Sequence, residues 1–321
     1  MPSVVMQRLE DSCVVDLNEG ADLTEDQLMA RLHDKQGLVS VFTNQVTRRV
    51  IESAPQLRVI ANVAVGYNNI DVQAARERGV VVTNTPDVLT EATANLTWAL
   101  ILDITRRVSE GDRLVRRGGW KGWTFNFMLG GDLAGKQLGV VGMGRIGRAV
   151  ARRAQAFDMR IACFSPRASE VTWAGALAPA FPGSEGTGLN SAESMPLDRL
   201  LATSDVVTLH CPLTDETRHL INQTALARMK RSAYLINAAR GPVVDEAALA
   251  WALKNRLIAG AALDVYEREP EVQQELLALE SVVLSPHLGS STTETRVAMA
   301  DLAALNVIAV LTGKPAVTPV P

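Results

Sequence analysis

Short apolar runs alternate with stretches of helical period along most of this chain. In the N-terminal part Val4–Met6, Leu38–Phe42, Leu57–Val63 and Val80–Thr83 read as strands, each a few aliphatic residues bounded by polar or turn residues. Between them Glu25–His33, Thr47–Ala54 and Asp71–Arg78 read as helices. Thr90 is a capping residue with Glu91 behind it in the first turn, which predicts one long helix to about Arg117, stopped at Gly118-Gly119. Lys136–Val141 follows as a buried strand, and Arg145–Phe157 as an amphipathic helix carrying Ile146, Val150 and Phe157. Strands recur at Arg160–Phe164, Val206–His210, Tyr234–Asn237, Ala259–Asp264 and Val282–Ser285, and Thr292–Thr312 is a last helix, stopped by Gly313 and Pro315. Strands that alternate with helices predict parallel pairing and a helix-flanked sheet, an α/β fold.

Between the strand at 136–141 and its helix stand Gly142, Gly144 and Gly147. This is the G-x-G-x-x-G of a dinucleotide-binding turn. The first glycine permits the tight turn, the second lets backbone approach a pyrophosphate, and the third lets helix pack closely on strand. A pyrophosphate would then meet the unpaired N–H groups and positive dipole end of the helix. Two other segments interrupt the alternation. Trp120, Trp123, Phe125 and Phe127 crowd together in a chain that is only 4% aromatic; they are either core filling, or a subunit interface or wall over an active site. The Gly-, Ala-, Pro- and Ser-rich stretch from Ser165 to Leu197, notably Ala178–Ser194, is long for a connection and reads as a mobile surface excursion. No repeat of solenoid period is present.

Composition narrows the function classes. The 321 residues are enough for two domains, and a net charge of −3 argues against nucleic-acid or acidic-membrane partners. Met1–Glu10 lacks the basic and apolar regions of a secretory signal, and Leu96–Ile104 is broken by Asp103 and too short to span a bilayer. Cys13, Cys163 and Cys211 are far apart and odd in number, which predicts neither disulfide nor structural metal, and a cytoplasmic location.

Four histidines are available. His33 and His219 lie in charged or polar stretches and read as surface residues, whereas His210 and His287 each end an apolar strand, the sheet edge where open α/β folds collect ligands. The strand at 234–237 runs into Ala238-Ala239-Arg240-Gly241, and the one at 259–263 into Asp264, with Glu269 beyond. The Val65-Gly66-Tyr67-Asn68-Asn69 loop also follows a strand end, as a ligand loop or a plain polar turn. If the strands are parallel neighbours, an arginine, two carboxylates and one or two histidines converge beside a dinucleotide. Reduction of a 2-oxo acid needs such a set: a histidine to protonate the carbonyl oxygen, a carboxylate to favour the imidazolium, and an arginine to grip the substrate carboxylate through paired hydrogen bonds.

The motifs Val65–Asp71, Thr85–Thr90, Gly142–Gly147, Asn237–Val244, Leu263–Pro270 and Pro286–Ser290 together resemble the D-isomer-specific 2-hydroxyacid dehydrogenases, and within them the glyoxylate/hydroxypyruvate reductases. The resemblance implies two Rossmann-like, doubly wound parallel-sheet domains with a cleft between them. Residues 1–99 with 289–321 would be the substrate-binding domain and 100–288 the NAD(P)-binding domain. It implies Arg240, Glu269 and His287 as catalytic residues, with Val65, Gly66, Arg240 and His287 at the substrate. The implied cofactor contacts are Gly142, Gly144, Arg145, Ile146, Gly147, Ser165, Arg167, His210, Pro212, Thr217, Ala238, Asp264 and Gly289, with Asp264 at the nicotinamide carboxamide and Thr217 near the phosphates. A homodimer is also implied, with Trp123 or Phe127 close to the neighbouring active site. The strand at 160–164 ends in Ser165-Pro166-Arg167 instead of a carboxylate, which favours NADPH, with NADH as the alternative. Glyoxylate or hydroxypyruvate is the expected substrate; a 2-ketoaldonate such as 2-ketogluconate is the alternative. A dinucleotide-sensing corepressor or scaffold of the same fold would predict loss of the acid or its partner, and all three residues are present.

Overall fold

The structure is a computed structural model, and it describes residues 1–21, 23–165 and 192–321. Arg167 and most of Ala178–Ser194 lie outside the described residues. The chain forms two compact units, Met1–Leu89 with Ser290–Pro321, and Thr90–Gly289. No helix among the described residues is long and apolar enough to cross a membrane.

The first unit opens with α1 (Ser3–Glu10), α2 (Glu25–Leu32), β1 (Gly37–Ser40), α3 (Arg48–Glu52), β2 (Val59–Asn62), α4 (Val72–Glu77) and β3 (Val81–Thr83). Its sheet is three-stranded and parallel in the order β1-β2-β3. Side chains alternate across a strand, so one sheet face buries Ile60 and Val82 against Val50, Ile51 and Ala74 of the helices, while the other buries Val59 and Ala61. The first expected strand, Val4–Met6, is instead a turn of α1. Val5 and Leu9, one helical turn apart, pack against Ala300 and Ala304, while Val4 stays 61% exposed. A three-residue apolar run has no period of its own, and its packing partners lie almost the whole sequence away.

The second unit begins with α5 (Thr90–Arg106) and α6 (Val108–Arg116). The single helix expected over 90–117 is broken at Arg107, which takes left-handed φ 58° and ψ 38°. Asp103 accepts the backbone N–H of Ser109 at 2.7 Å, taking up one donor freed at the break, and the Arg107 guanidinium grips the Glu110 carboxylate at 2.6 and 2.8 Å. The sheet follows: β4 (Gln137–Val141), α7 (Arg145–Ala154), β5 (Arg160–Phe164), β6 (Glu193–Ser194), α8 (Leu197–Thr203), β7 (Val206–Leu209), α9 (Gln223–Arg228), β8 (Tyr234–Asn237), α10 (Glu246–Lys254), β9 (Gly260–Leu263), α11 (Gln274–Leu277) and β10 (Val282–Leu284). The chain then returns to the first unit as α12 (Thr293–Leu311), capped by Thr292 and laid with Ala303, Val307 and Val310 against the second face of the small sheet.

All seven strands of the large sheet are parallel, in the order β10-β9-β8-β7-β4-β5-β6. The chain moves outward in one direction from β4 and then in the other from β7. The strand order therefore reverses between β4 and β7, where the loops at the strands' carboxyl ends part and leave a crevice. α5 belongs wholly to this unit. Trp98 donates its indole N–H to the Val150 carbonyl at 3.0 Å and stacks on Phe157 at 4.4 Å, and Ile101 and Ile104 share a core with Leu138 and Val140. For that reason the units divide at Leu89/Thr90 and not near residue 99.

Candidate active site

β4 ends in the turn Gly142–Gly147 at the point where the strand order reverses. Gly142 has φ 95°, and a Cβ there would lie 2.5 Å from the Cys211 nitrogen and 2.6 Å from the His210 carbonyl carbon, so the loops after β4 and β7 touch through it. A Cβ on Gly147 would lie 2.1 Å from the Gly142 carbonyl oxygen; here α7 crosses its own strand too closely for any side chain. Gly144 differs. It precedes Arg145 as the cap of α7 with no side-chain capping bond, and a Cβ there would meet nothing within 4 Å. The chain's own packing does not require that glycine; a pyrophosphate on the first N–H groups of α7 would account for it. Ile146 is half-buried behind Arg145.

Four neighbouring strand ends flank this turn. His210, after β7, pairs its Nε2 with Thr208 Oγ1 at 2.9 Å, and its buried Nδ1 meets no partner among the described residues. Burial pulls its pKa down to about 3, so the ring is neutral at physiological pH and unsuited to act as an acid. Pro212 and Thr217 close the next turn, with the Thr217 hydroxyl donating to the Pro212 carbonyl at 2.7 Å. After β8, Asn237 folds back on its own loop, accepting the Ala239 N–H at 3.1 Å and donating to the Arg240 carbonyl at 3.0 Å. Ala238 lies inside this hook. Gly241 then passes so close to the next loop that a Cβ would fall 1.9 Å from the Tyr266 carbonyl. Arg240 is thereby brought beside the loop that carries Glu269. Burial lowers the pKa of its guanidinium and the Glu269 charge opposes that shift; the group remains charged.

Asp264 follows β9 and is 1% exposed. One carboxylate oxygen accepts the Ser285 hydroxyl at 2.6 Å and the Leu288 N–H at 2.7 Å, and the other accepts the Gly289 N–H at 2.8 Å. Burial nevertheless leaves its pKa above the ordinary value. Between these bonds His287 is held at φ 55°, its own N–H donated to the Asp264 carbonyl at 2.9 Å. Its Nδ1 lies 2.8 Å from Glu269 Oε2. The other Glu269 oxygen accepts the Tyr266 N–H at 3.0 Å. Burial pushes the Glu269 carboxyl up, but its bond to His287, the Tyr266 N–H and the Arg240 charge outweigh that and hold it below the usual glutamate range. A charged carboxylate thus fixes the Nδ1 edge of the His287 ring.

In the first unit, the loop after β2 is tied through its carbonyls. Asn62 donates to Gly66 O at 2.9 Å, and Asn84 donates to Val65 O at 2.8 Å. The N–H groups of Val65 and Gly66 meet no protein acceptor among the described residues. Ser165, half-buried, directly follows β5, the strand that pairs with β4 on the side away from β7. His219, expected at the surface, has a side chain 42% exposed, with only its Nε2 covered, 3.1 Å from Glu267 Oε1. Trp120, Trp123 and Phe125 are 56, 74 and 82% exposed, which excludes the core reading of that cluster within a single chain. The structure also adds Tyr266, Ser285, Glu246 and Glu267 around the Glu269 loop. Nothing in their local sequence marks them, because each acts on a segment distant in the chain. Among the described residues no His, Cys, Asp and Glu cluster is arranged to hold a metal ion.

Residues 98–289 match the family described as D-isomer specific 2-hydroxyacid dehydrogenase, NAD binding domain. The chain is 45% identical to the glyoxylate reductase of Pyrococcus horikoshii, over 98% of this chain and 91% of that one. Among solved structures it resembles a protein of Thermus thermophilus, with TM-score 0.88, 42% identity and coverage of 100% and 97% of the two chains. It also resembles the NADPH-dependent glyoxylate/hydroxypyruvate reductase of Sinorhizobium meliloti in complex with NADP and malonate, with TM-score 0.83, 35% identity and coverage of 98% and 92%. The chain belongs to the D-isomer specific 2-hydroxyacid dehydrogenases, enzymes that use a nicotinamide dinucleotide. Within that family its similarity lies with the glyoxylate reductases.

The lowered pKa of Glu269 carries a pH dependence. A carboxylate whose pKa falls on folding adds stability above its unfolded value, and that stability is lost as pH falls through the native value. Wild type should therefore be more stable than Glu269→Gln at neutral pH, and the margin should shrink as pH drops below the ordinary glutamate range, about 4.3. Thermal unfolding of both proteins at stepped pH measures this; a margin that stays constant to the lowest pH would show that the carboxylate's charge contributes nothing to the fold.

Proposed function

We propose that this enzyme reduces a small 2-oxo acid to the D-2-hydroxy acid, glyoxylate to glycolate and hydroxypyruvate to D-glycerate, using NADPH. The reading rests on the hydrogen-bonded Glu269–His287 pair at the carboxyl edge of a dinucleotide-binding sheet, with Arg240 electrostatically coupled to Glu269. Gly142, Gly144, Arg145, Ile146 and Gly147 would hold the pyrophosphate. His210 and Pro212 would line the adenosine side, Thr217 would lie near the phosphates, and Ala238, Asp264 and Gly289 would line the nicotinamide side. The reduced nicotinamide supplies a hydride to the carbonyl carbon. His287 would then deliver the proton that the carbonyl oxygen takes up, with the Glu269 carboxylate orienting its ring through Nδ1. Arg240 would pair with the substrate carboxylate, and Val65 and Gly66 offer two N–H donors suited to the same kind of group.

His287→Ala should lower turnover with glyoxylate and hydroxypyruvate by roughly a hundredfold or more, the scale of losing a general acid, with NADPH affinity nearly intact by fluorescence titration. Wild-type turnover in this variant would remove His287 from the mechanism. The same assay across a panel of 2-oxo acids that includes 2-ketogluconate separates the small substrates from the 2-ketoaldonates.

The NADPH preference rests on the end of β5, where Ser165 stands in place of a ribose-binding carboxylate and Arg167 follows in the sequence. A relative with 35% identity carries NADP in its crystal structure. A hydrogen bond to a charged group contributes roughly 1.5–3 kcal/mol, so Arg167→Ala should weaken NADPH about ten- to a hundredfold while NADH changes little. Ser165→Asp should weaken it further by repelling a 2′-phosphate. Equal losses for both cofactors in Arg167→Ala would show that this arginine does not read the phosphate.

A homodimer is part of the same proposal. α6 has no buried residue, and Val108 and Val115 on it, with Trp120, Trp123, Phe125 and Leu129 beyond, are all more than half exposed. So much apolar surface in one stretch suits a partner. Sedimentation should give twice the chain mass at micromolar concentration, and substituting Trp123 and Phe125 with Ser should shift it towards the single chain; a wild-type monomer would contradict the proposal.

A further inference from the structure

The loop that carries Glu269 is held from behind by two more glutamates. Glu246 is the first residue of α10 and 6% exposed. Its Oε1 accepts the backbone N–H of Glu267 at 2.7 Å, and Glu267 Oε1 accepts the backbone N–H of Glu246 at 3.0 Å. Each carboxylate thus takes the main-chain donor of the other residue, closing a reciprocal clasp between segments 21 residues apart. Glu246 also accepts a backbone bond from Gln273, on the far side of the same loop. The N–H taken at Glu246 is one of the unpaired donors of the helix's first turn, so the clasp anchors the loop to the rigid end of α10.

Two neighbouring carboxylates are an expensive way to join two segments. Both lose hydration, they repel each other, and Glu269 adds a third negative charge nearby; burial and the charges of Glu267 and Glu269 push the Glu246 carboxyl up. An apolar pair would join the segments without that cost. What the carboxylates add is direction, since each bond fixes a particular peptide plane. The plane held at Glu267 follows the peptide whose N–H, at Tyr266, is bonded to Glu269. Tyr266 extends the hold in the other direction. Its hydroxyl donates to the Ser285 carbonyl at 2.9 Å, two residues before His287. The Tyr266 carbonyl meanwhile abuts Gly241, beside Arg240. One turn, Tyr266–Glu267, therefore touches the segments that bear Arg240, Glu269 and His287.

We propose that the Glu246–Glu267 clasp is a positioning device for the reaction, acting through the 266–269 turn to keep Glu269 bonded to His287 and beside Arg240. This inference rests on the reading of Glu269 and His287 given above. Displacing a reacting group by about 1 Å costs up to roughly a hundredfold in rate. Glu246→Ala should therefore lower kcat by about ten- to a hundredfold, with little change in substrate KM or NADPH affinity. Glu246→Gln retains an acceptor for the Glu267 N–H and should recover most of the loss. Glu267→Ala opens the clasp from its more exposed side and should reproduce the kcat defect if Glu246→Ala does not fold. In a Glu269→Gln background Glu246→Ala should add little further loss, because the clasp acts through Glu269. The amide of Glu267 should exchange with solvent at least about tenfold faster in Glu246→Ala than in wild type. That readout needs no activity, so a wild type inactive on every 2-oxo acid would refute the functional reading while the exchange still reports the clasp. Wild-type kcat in folded Glu246→Ala and Glu267→Ala, a full additive loss in the Glu269→Gln background, or unchanged Glu267 exchange would each overturn the proposal.

Discussion

Asp264 is buried at the end of β9 with both oxygens taken by donors from residues 285–289. A left-handed backbone at a residue with a side chain costs of order 1 kcal/mol or more and persists only where its surroundings over-determine it. His287 is such a residue, and Asp264 supplies the determination by binding the N–H groups of the two residues that follow it. Without that turn the imidazole would leave the strand end on another heading and miss Glu269. The Glu269–His287 geometry thus depends on a carboxylate whose visible task is to hold backbone.

Three acids near one another do different work because their surroundings differ. Asp264 is buried among neutral donors and its pKa is raised. Glu269, between His287 and the Arg240 charge, is lowered despite burial. Glu246, buried and faced by two other carboxylates, is raised. Of the three, only at Glu269 do the groups that favour the charged form outweigh burial, and it is the one bonded to the histidine. Pairs of acids driven apart in this way are the usual mark of assigned roles in a site.

The sheet explains why these groups can meet at all. A parallel sheet delivers every strand's carboxyl end to the same edge, and the reversal of order between β4 and β7 opens that edge. The glycine turn is shaped by this crossing: Gly142 and Gly147 are demanded by contacts inside the protein, while Gly144 is demanded by none of them. The same edge takes the loops of Arg240, Asp264 and His287 from β8, β9 and β10 in consecutive order. Neighbouring strands place them side by side without any long-range instruction in the loops themselves.

Much of this was legible in the residues alone. The strands at 160–164 and 234–237 appear with the bounds their apolar runs predict, those at 137–141, 206–209, 260–263 and 282–284 differ by a residue at one end or both, and the two-residue β6 at the sheet edge was not foreseen. A buried parallel strand is written locally, as a continuous aliphatic run between polar breaks. The dinucleotide turn was equally plain, because its glycines answer contacts within one strand-turn-helix. Other features lay beyond local pattern. α1 is a helix because Ala300 and Ala304 cover Val5 and Leu9 from the other end of the chain. α5 stops at Arg107, where the Asp103 side chain takes the Ser109 N–H freed by the break, an arrangement that helix propensity does not register. The bond between Glu269 and His287 and the clasp of Glu246 with Glu267 join segments that composition and spacing leave independent. The sequence by itself determined which residues could do chemistry and on which sheet edge they stand, since both follow from local pattern and strand direction. Tertiary structure decided which of them touch and which are charged, because contact and desolvation are properties of neighbours brought together only when the chain closes.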